Sequence, residues 1–207
     1  MSPPASGPTL HLIAGINGAG KTTFYRQFLE RRTPGAEFVN ADELARERWP
    51  DAIDARSAEA ARLADARRRE LLDARCTFVA ETVFSHPSKL DLVRDARARG
   101  FRVLLYHIHV SSPELARERV ITRVSRGGHD VPEATIHTRF PRTLHLIRQA
   151  SLIADRTFVI DNSALDRTHT HVMTLERGRL VSLSKSVPAW ARDVYADEIA
   201  AAATEAG

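Results

Sequence analysis

The chain has 207 residues, a mass of 23.0 kDa and 30 basic against 26 acidic residues, for a formal net charge of +4. Its 43% hydrophobic and 27% charged residues describe a globular protein and exclude a disordered one, and no apolar run approaches the roughly 18–20 residues of a membrane span. One cysteine, Cys76, excludes an intramolecular disulfide framework and a cysteine-rich zinc site, while 27 arginines against three lysines mostly interleave with Asp and Glu on helix faces.

Residues 1–8 read as a flexible tail that lacks the regions of a secretory signal, followed by a single domain over 9–207 placed in the cytoplasm. Thr9–Ala14 is a short apolar run, a buried strand. Lys21 to about Arg32 is a helix, ended by Thr33-Pro34-Gly35. Glu37–Asn40 is a second strand. Asp54–Arg75 is a long helix with a thin apolar stripe at Ala60, Leu63, Ala64, Leu71 and Ala74, and an Asp65–Arg69 pair on its wet face. Thr77–Ala80 is a third strand, Pro87–Arg99 a helix closed by Gly100, and Arg102–Val110 a fourth strand. Pro113–Arg126 is a helix broken by Gly127-Gly128. Another starts after Asp130, with Asp130 and Glu133 spaced as a capping box. Arg156–Ile160 is the fifth strand. His169–Leu175 and Leu180–Ser184 flank Glu176-Arg177-Gly178-Arg179 as a hairpin, and Pro188–Ala203 is the last helix. This alternation predicts an α/β fold with a five-stranded parallel sheet between helices, plus a C-terminal β-hairpin.

The strongest motif is Gly15-Ile16-Asn17-Gly18-Ala19-Gly20-Lys21-Thr22, which matches G-x-x-x-x-G-K-[ST] between a strand and a helix. Such a loop turns consecutive N–H groups inward around phosphate oxygens, and the following helix adds its positive end. Lys21 is expected on the β- and γ-phosphates and Thr22 on Mg²⁺. Gly15, Asn17, Gly18, Ala19, Gly20 and Thr23 complete the expected cofactor contacts, with a purine NTP as the nucleotide. A small chain with this loop points to a kinase of nucleotide-kinase type.

A kinase needs a carboxylate that orients the acceptor hydroxyl, at the strand ends on the ligand side of the sheet. Asp42 and Glu81 stand there. Asp42 equally fits an N-cap for a helix over Glu43–Trp49; Glu81 fits a metal or substrate ligand. Thr82 and Ser85 either bind substrate or shape the turn. Arg123 and Arg126, then Arg139 and Arg142, bear arginines at i,i+3 on two helices around a Gly-Gly hinge, the pattern of a closing lid that neutralises a transferring phosphoryl group. Pro141 is expected to kink the second helix. Asn162-Ser163 either holds the base or is a plain turn. His107-x-His109 and His169-x-His171 put two imidazoles on one strand face without a third metal ligand.

Gly15–Thr22, Asn40-Ala41-Asp42-Glu43, Glu81-Thr82-Val83-Phe84-Ser85, Gly127–Pro132 with Arg139 and Arg142, and Asp161-Asn162-Ser163 occur in an order and spacing that resembles the zeta-toxin family of P-loop kinases, in its compact bacterial branch. The resemblance covers roughly residues 9–190. It implies ATP- and Mg²⁺-dependent phosphorylation of the 3′-hydroxyl of UDP-N-acetylglucosamine, toxicity, and a possible protein antitoxin. It also implies Asp42 as general base, Glu81 in the substrate or metal shell, and Arg123 or Arg126 with Arg139 as charge stabilisers, Arg142 being counted with the substrate. Glu81 is followed here by Thr82-Val83, where better characterised members carry Gly-Thr. Other readings are a kinase of another metabolite or of polynucleotide 5′-hydroxyls, and a non-catalytic basic P-loop protein that binds nucleic acid; an aromatic fraction of 6% offers the last few stacking platforms.

Overall fold

A computed structural model describes residues 7–125, 128, 130–164 and 168–205. Its strands are β1 (Thr9–Ala14), β2 (Glu37–Val39), β3 (Phe78–Thr82), β4 (Arg102–His109), β5 (Arg156–Asp161), β6 (Thr170–Glu176) and β7 (Arg179–Leu183). Its helices are α1 (Lys21–Phe24), α2 (Ala41–Arg48), α3 (Ser57–Asp73), α4 (Ser88–Ala98), α5 (Pro113–Val124), α6 (Glu133–Ile153), α7 (Ala189–Val194) and α8 (Ala196–Glu205). The strands form one sheet in the order β2-β3-β1-β4-β5-β6-β7. The first five are parallel, as the strand–helix alternation predicts, and β6 and β7 extend the sheet antiparallel. Among the described residues no helix is long and apolar enough to cross a membrane.

Alternation along β1 sends its side chains to two cores. Leu10, Leu12 and Ala14 pack with Ala64 and Leu71 of α3, Leu90 and Val93 of α4, and Ile147 of α6. Ile13 packs with Phe24, Val120 of α5 and Ile136 of α6. Because β1 lies between β3 and β4, its carboxyl end opens at the point where the connections diverge, the crevice in which open α/β sheets hold ligands. Ile13 pairs with Glu81 and Ala14 with Thr82. The register therefore sets the loop after β1 beside the acidic end of β3.

Several elements differ from the sequence expectation. The helix after the loop is α-helical only over α1; it continues as a π turn over Tyr25–Leu29 and a 3-10 turn over Glu30–Arg32. Glu81 and Thr82 lie inside β3 rather than after it, because the pairing with β1 runs on to Ala14. On α3, Asp65 pairs with Arg68 and Lys89 at 2.6 and 2.7 Å instead of with Arg69, and Ala74 is exposed. The Asp130–Glu133 capping box does not form. Asp130 Oδ1 accepts from Arg117 and from its neighbour Val131 N, and Pro132 precedes α6 without a side-chain cap. α6 carries Pro141 in its interior, where the sequence places it. The C-terminal helix is two helices, parted at Tyr195, whose ring is fully buried. The hairpin turns where expected: Arg177 and Gly178 both have positive φ, 48° and 78°, as a type I′ turn requires.

The two histidines of β4 form no metal group; no cluster of three or more His, Cys, Asp or Glu exists among the described residues. They are neutral core residues. His107 Nδ1 hydrogen-bonds the Tyr195 hydroxyl at 2.8 Å, and the Trp190 ring lies 4.0 Å from that of His109. Burial drives His107 down to about 3 and His109 to about 2, with His107 adding to the effect on His109. Both values lie below the unfolded 6.5, so the fold keeps its full stability above that pH and loses it as pH falls toward the folded values. Each ring is expected to cost about 1.4 kcal/mol per pH unit below 6.5. Urea titrations between pH 7 and pH 5 check this; a stability unchanged over that range contradicts it.

Candidate functional site

Residues 15–22 wrap the carboxyl end of β1. Gly18 and Gly20 have φ of 82° and 90°, left-handed values that L side chains rarely adopt. A Cβ on Gly15 would lie 2.1 Å from Ile108 O, so the loop also presses on β4. Lys21 folds back into the loop, with Nζ donating to Ile16 O at 3.2 Å and standing 3.7 Å from Glu81 Oε1. Thr22 Oγ1 donates to Glu81 Oε2 at 2.8 Å. Burial pushes Lys21 below its ordinary value and Glu81 above its own, and each charge partly restores the other. Both side chains of the pair are largely shielded from water, 7% and 10% exposed.

Two hollows open on this pair. The first, of about 660 Å³, is walled by Asn40, Asp42, Arg68, Thr82, Ser85 and Arg139, among others. The second, of about 390 Å³, is walled by Gly18, Gly20, Thr22, Thr23, Arg119 and the Asn162 and His169 side of the sheet. Lys21, Glu81 and Arg123 line both. The two spaces therefore meet at one cation-rich junction.

Asp42 does not cap α2. Asn40 does: its Oδ1 accepts from Asp42 N at 2.8 Å and from Glu43 N at 3.4 Å. This removes the capping role that the sequence left open for Asp42 and leaves its carboxylate in the first hollow, 3.8 Å from Arg123 NH1. Arg123 comes from α5, started by Ser112 as N-cap and Pro113 at the first turn. Arg139 comes from α6 and donates to Asn17 Oδ1 at 3.4 Å, which draws Asn17 to the first hollow rather than the second. Arg126, Gly127 and His129 lie outside the described residues, and with them the hinge of the expected lid. Arg142 is exposed on α6 and lines neither hollow. Thr82 Oγ1 accepts from Phe84 N at 3.2 Å, so it shapes the turn as well as facing the hollow. Phe84, fully buried at a φ of 61°, is strained there. Asn162 spends its amide on the loop backbone, with Nδ2 donating to Ala19 O at 2.8 Å.

Sequence reasoning missed Arg68, Lys89 and Arg119, and left His169 as a weak metal candidate. Arg68 is 3% exposed and donates to Glu81 O at 2.8 Å. It follows Ala60 and Ala64 at four-residue steps along the buried stripe of α3, a signal available in the sequence. Lys89 joins it through Asp65. Arg119 lines the second hollow from α5 with no local pattern to mark it, and the partners of His169 lie in distant segments.

The complex of AvrRxo1-ORF1 and -ORF2 with ATP contains a chain that superposes with a TM-score of 0.67 at 20% identity, over 87% of this chain and 61% of that one. A structure from the PezAT chromosomal toxin–antitoxin system of Streptococcus pneumoniae gives 0.60 at 17% identity, over 82% and 72%. The Pnkp1/Rnl/Hen1 RNA repair complex gives 0.50 at 18%, over 69% and 46%. At these identities the likeness establishes the fold, and the chain spans about 61% of the AvrRxo1 chain it matches. No curated protein matches it in sequence. The zeta toxin family model matches residues 2–173, from ahead of β1 through the loop, both acidic positions and the arginine-bearing helices into β6. The chain belongs to the zeta toxin family.

Proposed function

We propose that this protein is an ATP- and Mg²⁺-dependent phosphotransferase that phosphorylates an alcohol group of a small nucleotide metabolite, foremost a sugar hydroxyl of UDP-N-acetylglucosamine. In this reading it acts in the cytoplasm as a toxin restrained by a protein antitoxin. The observation that carries the reading is the junction of two hollows at Lys21, Glu81 and Arg123, with Asp42 on one side and the phosphate-binding loop on the other. Family membership supports it, as do the ATP complex of AvrRxo1 and the PezAT toxin–antitoxin system among the structural neighbours.

The second hollow takes ATP, with the loop and Lys21 on its phosphates. The first takes the acceptor. The acceptor oxygen attacks the γ-phosphorus, the bond to the β-γ bridging oxygen breaks, ADP leaves, and the hydroxyl proton passes to Asp42. Arg123 and Arg139 offset the charge spread over the transferring group. The hydroxyl of Thr22 beside the Glu81 carboxylate suits Mg²⁺, which takes one or two protein oxygens and completes its shell from phosphates and water. When bound it would neutralise charge on the phosphate oxygens.

Incubation with ATP, Mg²⁺ and UDP-N-acetylglucosamine is expected to yield a sugar nucleotide heavier by one phosphoryl group in mass spectra. If none forms, the substrate assignment falls. Parallel arms with a metabolite extract and a 5′-hydroxyl oligonucleotide then identify another acceptor, and no transfer in any arm overturns the phosphotransferase reading.

A further inference from the structure

Two carbonyls of the loop accept from side chains of one distant segment. Ala19 O accepts from Asn162 Nδ2 at 2.8 Å, and Gly20 O, which also takes the helix bond from Phe24 N at 2.9 Å, accepts from His169 Nε2 at 3.0 Å. The two donors are wired together, since His169 N donates to Asn162 Oδ1 at 3.1 Å. The His169 ring packs 5.5 Å from the Phe24 ring and 5.7 Å from that of Phe28, on the helical run that carries Lys21.

Three further observations show that this contact is built. His169 has a φ of 54°, left-handed for a residue with a side chain, and it lies just ahead of β6 rather than within it. A Cβ on Gly20 would lie 2.4 Å from Asn162 Nδ2 and 3.3 Å from His169 Nε2, so the clamp fills the space that only glycine leaves. A carbonyl only accepts, so Nε2 carries the proton, and Nδ1 is buried without a hydrogen-bond partner among the described residues. Burial, with a smaller contribution from Arg119, holds the ring below the usual histidine value, against the bond to Gly20. His169-x-His171 is thus no metal pair. His171 turns to Thr174 Oγ1 at 2.8 Å.

We propose that His169, with Asn162, is a positioning residue that locks the phosphate-binding loop, and that nucleotide affinity depends on the donor at Nε2 of its ring. The inference rests on the reading that this loop binds ATP. The test titrates the full-length protein with Mg²⁺ and a fluorescent ADP labelled on its ribose, and records melting temperature alongside. His169→Ala and Asn162→Ala are each expected to weaken binding about tenfold. His169→Gln, whose side-chain amide places an N–H near the lost Nε2, is expected to recover affinity to within about threefold of wild type. Should His169→Ala fail to fold, Asn162→Ala and His169→Gln carry the test. Alanine variants that bind within twofold of wild type overturn the proposal, whatever their melting temperatures. So does a glutamine variant as weak as the alanine one. If wild type and Lys21→Ala bind the probe alike, or neither binds, the nucleotide-binding reading itself falls and takes the clamp with it; wild type that binds where Lys21→Ala does not, with His169→Ala unaffected, defeats the clamp alone.

Discussion

Lys21→Ala is expected to lower the single-turnover rate of phosphoryl transfer by at least about 10³-fold, equivalent to about 4 kcal/mol of activation free energy. The reason is placement. Nζ is buried, tethered to Ile16 O, and stands at the junction of the two hollows, the point that the phosphoryl group crosses in the proposed transfer. Removal also strands Glu81, whose carboxyl is already raised by burial and loses its main compensating charge. Single-turnover assays with saturating ATP measure the chemical step, and melting curves show whether the fold survives. A variant that folds and retains more than about a tenth of wild-type turnover refutes the assignment.

Asp42→Asn is expected to lower kcat by about 10²–10⁴-fold while ATP affinity stays near wild type. Asparagine keeps the size of the side chain and loses the ability to take a proton. The capping of α2 is untouched, because Asn40 supplies it. The split between kcat and nucleotide affinity is the discriminating readout. A loss confined to stability would return Asp42 to a structural role. Asn40→Ala is the complementary control, expected to cost about 1 kcal/mol through the lost cap.

Much of this arrangement was legible in the sequence, because it is written locally. The loop motif stands between an apolar run and a helix, and the acidic residues stand at the ends of short strands. Each signal lies within a few residues of its neighbours. What escaped was written across the fold. Arg68 reads as one more surface arginine until α3 is packed and its guanidinium reaches Glu81 O. His169 lies 149 residues from the carbonyl it serves. Asp130 has the spacing of a helix cap, but Arg117 claims its carboxylate at 2.6 Å. The last helix breaks at Tyr195, whose hydroxyl meets His107 in a strand 88 residues earlier. Local pattern predicts an element until a distant partner makes a stronger demand.

The position of β1 has a consequence for how the chain is made. The strand at the centre of the parallel sheet is synthesised first, with both edges bare. Thr9 meets Thr77 across a separation of 68 residues, and His11 meets Tyr106 across 95. At the usual pace of translation this leaves an apolar strand without neighbours for roughly 3–20 s. The nascent chain therefore passes through a stage exposed to aggregation before its phosphate-binding loop has anything to rest on.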